Sequence, residues 1–326
     1  MNDLKTRILG LVKDELVEIE AELVHHLNPH LDLVREVAGH ILFSGGKRLR
    51  PLLLVLAARM CDYRGDYDKT FSISLEYLHA ATLLHDDLID DADLRRGRPV
   101  AHSIWGNATT ILVGDFLLAR ALTIAAGTGN IDIIKVVAGI TENMSQGEIH
   151  QLSRKGDRSL SETEYRDVIW RKTAVLFEGA CRSAALLAGA SPDRIEALST
   201  YGANLGLAFQ MADDLIDYTS DTKELGKKAG ADLREGKLTL PVIAALQAAD
   251  SQDRARMASI IRNPSFTTED FEALKALLQH YGGLAYTREK AREHVRLAKE
   301  ALLKFKPSET TGILHDLADF TLQRRA

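Results

Sequence analysis

Cysteine, proline and long apolar runs are all scarce in this chain, and each shortage excludes a class of protein. The 326 residues contain 2 cysteines, Cys61 and Cys181, which form no metal-ligand spacing. A disulfide scaffold is therefore excluded, and a reducing, cytoplasmic location is expected. The longest uncharged runs cover residues 99–114 and 197–212, and both are shorter than the roughly 20 apolar residues of a membrane span. We expect no membrane anchor and, because the N-terminus is charged, no secretory signal.

An excess of positive charge is also missing. The formal net charge is −5 at pH 7, so no global positive field attracts nucleic acid. Only 7 prolines interrupt a chain that is 45% hydrophobic and whose apolar residues are mostly Ala and Leu. Those residues favour helices over strands. We predict a single all-helical (all-α) domain over residues 1–326.

Apolar residues at helical spacing extend over most of the chain. Two amphipathic helices are predicted over residues 4–43, with a break at Asn28 and Pro29. Further helices are predicted over residues 52–60, 70–91, 107–127, 131–152, 161–190 and 192–218, and again from Leu240 onward. Two basic segments that contain glycine, residues 93–99 and 225–237, are predicted as loops.

The five-residue sequence DDLID occurs twice, at residues 86–90 and 213–217, and each copy lies at the end of a predicted helix. Four residues advance a helix by about 400°, so the first and last aspartates of each copy share a helix face. Paired carboxylates without a ladder of Cys or His ligands suit a hard cation, and Mg²⁺ is the expected ion. The alternative is a charged surface stripe. Two identical copies, each behind an uncharged sequence, favour the metal site.

A basic segment directly follows each copy of DDLID, and Arg171, Lys172 and Thr173 lie between the copies in sequence. His79 precedes Asp86 by seven residues, which places it on nearly the same helix face. Carboxylates beside Lys and Arg suit a diphosphate that is held through metal ions on one side and by cations on the other. They suit a catalyst built from carboxylates alone much less well.

The order and spacing of these motifs resemble those of the trans-type, head-to-tail polyprenyl diphosphate synthases, over nearly the whole chain. The matching segments are GKRLRP (46–51), EYLHA (76–80), LHDDLID (84–90), DLRRG (93–97), VGD (113–115), KT (172–173), FQMADDLID (209–217), GK (226–227) and GKLTLP (236–241). Each segment is weak alone, and their order and spacing together are specific. The resemblance implies the isoprenoid synthase fold, a single helical bundle around a central cavity.

The resemblance also implies an enzyme that uses Mg²⁺ to condense isopentenyl diphosphate with an allylic diphosphate primer. Ionisation of the allylic C–O bond, attack by the alkene and proton loss to the departed diphosphate need no nucleophile or general base from the protein.

Roles for individual residues follow from the same resemblance. Metal binding is implied for Asp86, Asp90 and Asp213, with Asp87, Asp214 and Asp217 acting through metal-bound water or as supporting groups. The allylic diphosphate is implied to bind Arg95, Lys172, Lys227 and Lys237, and isopentenyl diphosphate to bind Lys47, Arg50, His79 and Arg96. Thr173 and Gln210 are implied to point oxygen dipoles at the developing allylic cation.

Several residues beside the motifs are expected to do other things. His85 is expected to be packed or hydrogen-bonded, Arg48 to be solvated, and Asp115 to be either a motif residue or a buried structural carboxylate. Arg324 and Arg325 either close over isopentenyl diphosphate or are disordered. The chain departs from the family at Lys228, where Pro often follows Gly-Lys, and this leaves Lys227 in place.

The helix before the first motif bears on product length. Short-product members of the family carry a bulky aromatic residue four or five positions before the first aspartate, whereas this chain has Ala81 and Thr82. A tunnel is therefore expected to continue toward Leu78 and Leu75, and each helical turn adds about 5.4 Å of depth. We predict a long-chain all-trans product, octaprenyl-like, of the kind that serves quinone side chains.

A medium-chain synthase making geranylgeranyl or farnesyl diphosphate remains an alternative. So does a non-catalytic subunit of a heteromeric synthase, although the presence of both aspartate motifs disfavours it. The resemblance further suggests a homodimer and a product that is handed over at a membrane.

Overall fold

The computed structural model describes residues 2–219, 230–263 and 265–323, and most of these residues are helical. The predicted all-α class is confirmed. Contacts between Cα atoms divide the chain into two compact units. The first unit comprises Met1–Thr141, Leu176–Gly202 and Ala301–Leu317, and the second comprises Glu142–Val175, Ala203–Glu300 and Ala318–Ala326. A single domain over the whole chain stays a prediction.

The elements of the described residues are numbered here in chain order. The helices are α1 (Asn2–Leu11), α2 (Lys13–His26), α3 (Asp32–Leu42), α4 (Leu49–Met60), α5 (Asp68–Ile89), α6 (Ala101–Trp105), α7 (Asn107–Ala126), α8 (Ile131–Ser153), α9 (Glu162–Ile169), α10 (Val175–Leu187), α11 (Pro192–Thr219), α12 (Ala231–Arg234), α13 (Leu240–Ala248), α14 (Ser251–Arg262), α15 (Thr268–His280), α16 (Gly283–Ala301) and α17 (Glu309–Gln323). A π-helical segment, Trp170–Ala174, joins α9 to α10, and a 3-10 turn, Leu302–Lys304, follows α16. Two short strands, β1 (Leu94–Arg95) and β2 (Arg98–Pro99), complete the set.

Helix α5 is the centre of the first unit, because it contacts α2, α3, α4, α6 and α7. Its side chains are buried almost all round, as expected for a core helix with neighbours on every side. Tyr77, which is fully buried, donates a hydrogen bond from its hydroxyl to the carbonyl oxygen of Leu23 in α2 at 3.1 Å. The helix that ends in the first aspartate motif is therefore fixed along most of its length.

The second unit has its own apolar core. The rings of Tyr218 and Phe271 stack with centroids 6.0 Å apart, and Phe266 also stacks with Phe271 at the same distance. Two of its helices begin at reciprocal capping boxes, in which Ser161 pairs with Glu164 at α9 and Thr267 with Asp270 at α15. These caps satisfy backbone N–H groups that the first helical turn leaves without partners.

Three predicted boundaries differ from the structure. Residues 4–43 contain three helices, because a turn at Val12 separates α1 from α2. The predicted helix over residues 161–190 is interrupted by the π-helical segment. The predicted loop over residues 93–99 is a hairpin in which Arg95 pairs with Arg98. Its turn residues Arg96 and Gly97 have φ angles of 52° and 74°, which two-residue hairpin turns of type I′ require.

Helix α7 is unusually apolar and partly exposed. Among the described helices, it alone is long and apolar enough to cross a membrane by length and composition, with a mean hydropathy of 1.5 over a window that is 39% buried. The core helix of a soluble protein can also meet that criterion. Its exposed apolar side chains are those of Ile111, Leu112 and Leu122.

Candidate active site

The first aspartate motif occupies the last turn of α5, as predicted. The backbone N–H of Asp90 caps the helix by donating to the carbonyl oxygen of Asp86 at 2.8 Å. Asp86 and Asp90 are half-buried, whereas Asp87 is only 4% exposed. The two carboxylates predicted to bind metal are thus the accessible ones.

Asp87 is bound by the hairpin that follows the motif. The Nε atom of Arg95 donates to both carboxylate oxygens at 2.9 Å, and Nη2 donates to Oδ1 at 2.7 Å. A guanidinium held in this forked geometry has little rotational freedom. Arg95, the predicted ligand of the allylic diphosphate, is therefore positioned by the second aspartate of the preceding motif.

Arginines surround His79 on α5. Burial holds the pKa of His79 well below its usual value, and the positive charges of Arg50, Arg95, Arg96 and Arg48 lower it further. The imidazole is consequently neutral near pH 7, among cations that repel one another. Such a cluster suits the binding of a polyanion. It brings together three of the four residues predicted for isopentenyl diphosphate.

The loop before α4 lies beside the same cluster. Arg96 donates a hydrogen bond from Nη1 to the carbonyl oxygen of Gly45, two residues before the exposed Lys47. The guanidinium carbon of Arg50 lies 5.0 Å from the ring centroid of Phe177. The structure thus places the four predicted residues on α5, on the start of α4 and on the adjoining loops of one unit.

Arg48 corrects an expectation. It was expected to be solvated, yet it is only 6% exposed. Its guanidinium donates to Glu76 at 2.8 Å, to Glu20 at 2.6 Å and to the carbonyl oxygen of Leu42 at 2.7 Å. Both carboxylates are distant in sequence, so local composition gave no sign of them. Arg48 is a structural ion-pair residue that anchors the loop carrying Lys47.

Lys172 and Thr173 lie in the π-helical segment of the second unit. π-Helices, in which a backbone N–H donates to the carbonyl oxygen five residues earlier, are rare and frequently occur at functional sites. Gly147 of α8 packs against this segment so closely that a Cβ atom there would lie 2.8 Å from the Cβ of Arg171 and 3.1 Å from the backbone N of Lys172. The absence of a side chain at Gly147 therefore lets α8 pack closely against the backbone that carries Lys172.

The ammonium group of Lys172 is held by two residues of α8. Nζ donates to Oε1 of Gln151 at 2.8 Å and forms an ion pair with the carboxylate of Glu148. Glu148 is 8% exposed, so its charge requires this partner. Glu148 therefore positions Lys172 in the second unit, as Asp87 positions Arg95 in the first.

Thr173 belongs to a chain of four hydrogen-bonded side chains. Its hydroxyl donates to Oε1 of Gln210 at 2.8 Å, and Nε2 of Gln210 donates to Oδ1 of Asp214 at 2.9 Å. The hydroxyl of Tyr165 donates to Oδ2 of Asp214 at 2.5 Å. The predicted pair Thr173 and Gln210 is therefore in direct contact and is connected to the second motif.

Within the second motif, Asp213 is half-buried while Asp214 and Asp217 are buried at 2% and 8% exposure. Burial raises the pKa of Asp214 to about 8, with a further increase from the charge of Asp232. The oxygens of Asp217 accept from the backbone N–H groups of Ala231 and Asp232 at 3.2 and 3.3 Å. Asp217 thus binds the N-terminus of α12, inside the segment that was predicted as a loop.

Of the remaining lysines predicted to bind the allylic diphosphate, the structure describes Lys237 but not Lys227. Lys237 donates from Nζ to the carboxylate of Glu235 at 2.7 Å. Lys227, with Lys228, lies outside the described residues, as do Arg324 and Arg325.

The residues predicted to set product length lie on α5. Leu75, Leu78 and Ala81 are at most 1% exposed, and Thr82 is half-buried with its hydroxyl donating to the carbonyl oxygen of His79 at 2.9 Å. Small side chains at positions 81 and 82 leave α5 without a bulky aromatic residue four or five positions before the motif. A tunnel past them stays a prediction.

His85 packs against α7. A Cβ atom on Gly114 would lie 2.2 Å from Nε2 of His85, so the glycine leaves the space that the imidazole occupies. The same nitrogen lies 3.2 Å from the carbonyl oxygen of Ile111 and 3.7 Å from the carboxylate of Asp115. The expectation that His85 is packed or hydrogen-bonded is confirmed. The Asp115 side chain is 59% exposed, so it is not a buried structural carboxylate.

The aspartates fit Mg²⁺ by their donor chemistry. Across the described parts of the chain, no three His, Cys, Asp or Glu side chains group closely enough to hold a metal ion by themselves. Mg²⁺ is usually bound through one or two carboxylates together with substrate phosphate oxygens. The accessible carboxylates of Asp86 and Asp90 in the first unit, and that of Asp213 in the second, each offer the oxygen donors that such an ion takes.

Three supporting residues were missed in the sequence: Glu148, Gln151 and Tyr165. Each contacts a predicted residue directly, and that residue lies between 21 and 49 positions away in the chain. No local motif marks such a contact.

Comparison with known proteins gives a matching family model and relatives that are similar over nearly the whole chain. Residues 31–278 match the family model described as polyprenyl synthetase. The octaprenyl diphosphate synthase of Escherichia coli is 35% identical over 318 residues, covering 98% of both chains. The geranyl-diphosphate-specific all-trans-nonaprenyl-diphosphate synthase of Rhodobacter capsulatus is 37% identical over 325 residues, covering 99% of this chain and 98% of the relative.

A solved structure agrees with these matches. The polyprenyl synthase of Caulobacter crescentus, complexed with calcium and isoprenyl diphosphate, superposes with a TM-score of 0.92 at 38% identity and 98% coverage of both chains. The predicted isoprenoid synthase fold is confirmed by this likeness.

Proposed function

The chain belongs to the polyprenyl synthetase family of prenyl-transferring enzymes, and we propose that it extends an allylic diphosphate with isopentenyl diphosphate. One observation carries the proposal. In both copies of DDLID the first aspartate is half-buried, while the second is buried and bound by protein side chains. The same division in two separate helices supports a shared role for Asp86 and Asp213 as accessible metal ligands.

Mg²⁺ is the proposed cofactor, held by Asp86, Asp90 and Asp213. The relative from Caulobacter crescentus, complexed with calcium and isoprenyl diphosphate, supports a divalent ion with a diphosphate. When bound, Mg²⁺ neutralises charge that develops on the leaving diphosphate. Asp87, Asp214 and Asp217 support these ligands indirectly, since the protein's own donors bind their carboxylates.

The cations divide between two diphosphates in this proposal. Arg95, Lys172 and Lys237, with Lys227, bind the allylic diphosphate. Lys47, Arg50, His79 and Arg96 bind that of isopentenyl diphosphate, and the neutral state of His79 lets its ring donate one hydrogen bond without adding to the repulsion among the arginines. Thr173 and Gln210 present oxygen atoms to the allylic cation as the C–O bond ionises.

The proposed product is a long-chain all-trans polyprenyl diphosphate close to octaprenyl, for a quinone side chain. Two observations support it: the likeness to the Escherichia coli octaprenyl diphosphate synthase over 98% of both chains, and the small residues Ala81 and Thr82 before the first motif.

We further propose a homodimer in the cytoplasm that hands its product to a membrane. The exposed side chains of Ile111 (45%), Leu112 (66%) and Leu122 (38%) give α7 an apolar face that a second copy would cover.

Incubation of the lone protein with Mg²⁺, isopentenyl diphosphate and an allylic primer tests the proposal. Release of inorganic diphosphate together with a longer prenyl chain is expected, and chelation of the metal should abolish both. An absence of turnover with geranyl, farnesyl and geranylgeranyl primers would overturn the catalytic assignment and favour a non-catalytic subunit.

A further inference from the structure

Tyr165 begins a hydrogen-bonded chain that ends at Thr173, and none of the roles assigned above uses it. The order is Tyr165, Asp214, Gln210 and Thr173, with distances of 2.5, 2.9 and 2.8 Å. Tyr165 is 3% exposed and Asp214 is 2% exposed, so solvent does not compete for their contact. All four side chains lie in the second unit.

The direction of each hydrogen bond in this chain follows from the one before it. The Tyr165 hydroxyl donates to Oδ2 of Asp214, and Oδ1 of the same carboxyl group accepts from Nε2 of Gln210. Gln210 must therefore turn its NH₂ group to Asp214 and its carbonyl oxygen to Thr173. The Thr173 hydroxyl must then donate to Gln210, which leaves the lone pairs of Oγ1 available.

We propose that Tyr165 is a positioning residue that sets the polarity of the Gln210–Thr173 pair, so that both present oxygen lone pairs to the allylic cation. The inference rests on the proposed prenyl transfer. Without the Tyr165 hydroxyl, Oδ2 of Asp214 loses its donor and the carboxyl group can turn. The amide of Gln210 is then free to flip, which would direct N–H groups, with positive partial charge, toward Thr173 and the cation.

The test compares two buried tyrosines of the same unit. Tyr165→Phe removes the hydroxyl at the start of the chain. Tyr218→Phe is the matched control, because Tyr218 is 1% exposed and its hydroxyl accepts from Thr239 at 3.1 Å rather than contacting Gln210. We expect Tyr165→Phe to lower kcat by about 10- to 100-fold, with the KM for isopentenyl diphosphate changed by less than about threefold. Tyr218→Phe should keep kcat within about threefold of the parent enzyme.

A double-mutant cycle separates positioning from general structural support. Thr173→Val removes the end of the chain, so a residue that acts through Thr173 should have little further effect in that background. We expect the kcat loss of Tyr165→Phe to shrink to less than about threefold there. Thermal unfolding of each variant checks that the fold is kept.

Three results would overturn the inference in an active parent enzyme: an unchanged kcat in Tyr165→Phe, an equal loss in Tyr218→Phe, or full additivity with Thr173→Val. A parent enzyme that releases no diphosphate would instead refute the proposed function, so the two failures are distinguishable.

Discussion

Asp87 accepts hydrogen bonds from two nitrogens of Arg95, at 2.7 and 2.9 Å, and so joins the first aspartate motif to the basic hairpin behind it. The carboxylate side chain is 6% exposed and the guanidinium 28%, so the pair is largely shielded from water. Asp87, which the sequence predicts to support the metal ligands, thus orients the guanidinium of Arg95. The same principle recurs where Glu148 holds Lys172.

Asp87→Asn should weaken both the fold and allylic substrate binding. The amide keeps the size of the side chain but loses the charge and one acceptor, so Arg95 is left with an incompletely satisfied partner. We expect the free energy of unfolding to fall by about 1–3 kcal/mol and the KM for the allylic diphosphate to rise. Urea unfolding and steady-state kinetics measure the two effects.

The matched control is Asp115→Asn, at a carboxylate that is 59% exposed, and it should leave the unfolding free energy within about 0.5 kcal/mol. Equal effects of the two variants would contradict the role given to the Arg95 contact.

Gly147→Ala should displace the π-helical segment. The added Cβ would lie 2.8 Å from the Cβ of Arg171, so either α8 or the segment must move. We expect a loss of about 1–3 kcal/mol in the unfolding free energy, together with a lower kcat because Lys172 and Thr173 shift.

Gly139→Ala is the control for that variant on the same helix, since among the described residues no atom apart from the helix's own backbone lies within 4 Å of its added Cβ. It should be neutral or stabilising by up to about 1 kcal/mol, because alanine favours a helix more than glycine does. If Gly147→Ala behaved like Gly139→Ala, close packing against Arg171 would not set the position of the segment.

His79 should make stability depend on pH. Its folded-state pKa lies below the ordinary value of 6.5, so the unfolded chain binds the proton more readily than the native one. Stability is therefore complete above that ordinary value and is lost as the pH falls below it toward the folded-state pKa. Urea unfolding at about pH 7.5 and about pH 5.5 should show a smaller pH-dependent loss in His79→Gln than in the parent protein. An identical loss in both would mean that other groups, such as His26 and His294, carry the dependence.

Thr82→Phe should shorten the product. A ring at this position would block the predicted path toward Leu78 and Leu75, which are buried on the same helix. Thr82→Val is the control, because it keeps the volume and removes only the hydroxyl that donates to His79. Chromatography of the prenyl products should show shorter chains in Thr82→Phe alone. An unchanged product distribution in that variant would contradict a tunnel along this face.

The sequence predicted elements whose causes are local. Helix α11 was predicted at residues 192–218 and runs from Pro192 to Thr219, because apolar periodicity and an N-terminal proline are both visible in the sequence. The placement of each DDLID copy at a helix end followed for the same reason.

Features that depend on distant partners were not predictable in this way. Arg48 is buried because Glu20 and Glu76 lie beside it, each 28 positions away. The residues 170–174 have ordinary helical composition, and close packing by Gly147 accompanies their π-helical form. The cap that Asp217 provides to α12 similarly requires knowledge of where the chain returns.

The most direct test of the central claim is the effect of Asp86→Ala and of Asp213→Ala on turnover and on isopentenyl diphosphate binding. If both aspartates hold Mg²⁺ for ionisation of the allylic diphosphate, each variant should lose at least about 100-fold in kcat. The KM for isopentenyl diphosphate, whose proposed ligands are Lys47, Arg50, His79 and Arg96, should change far less. Correctly folded variants that lose turnover and isopentenyl diphosphate binding to the same extent would contradict the metal assignment.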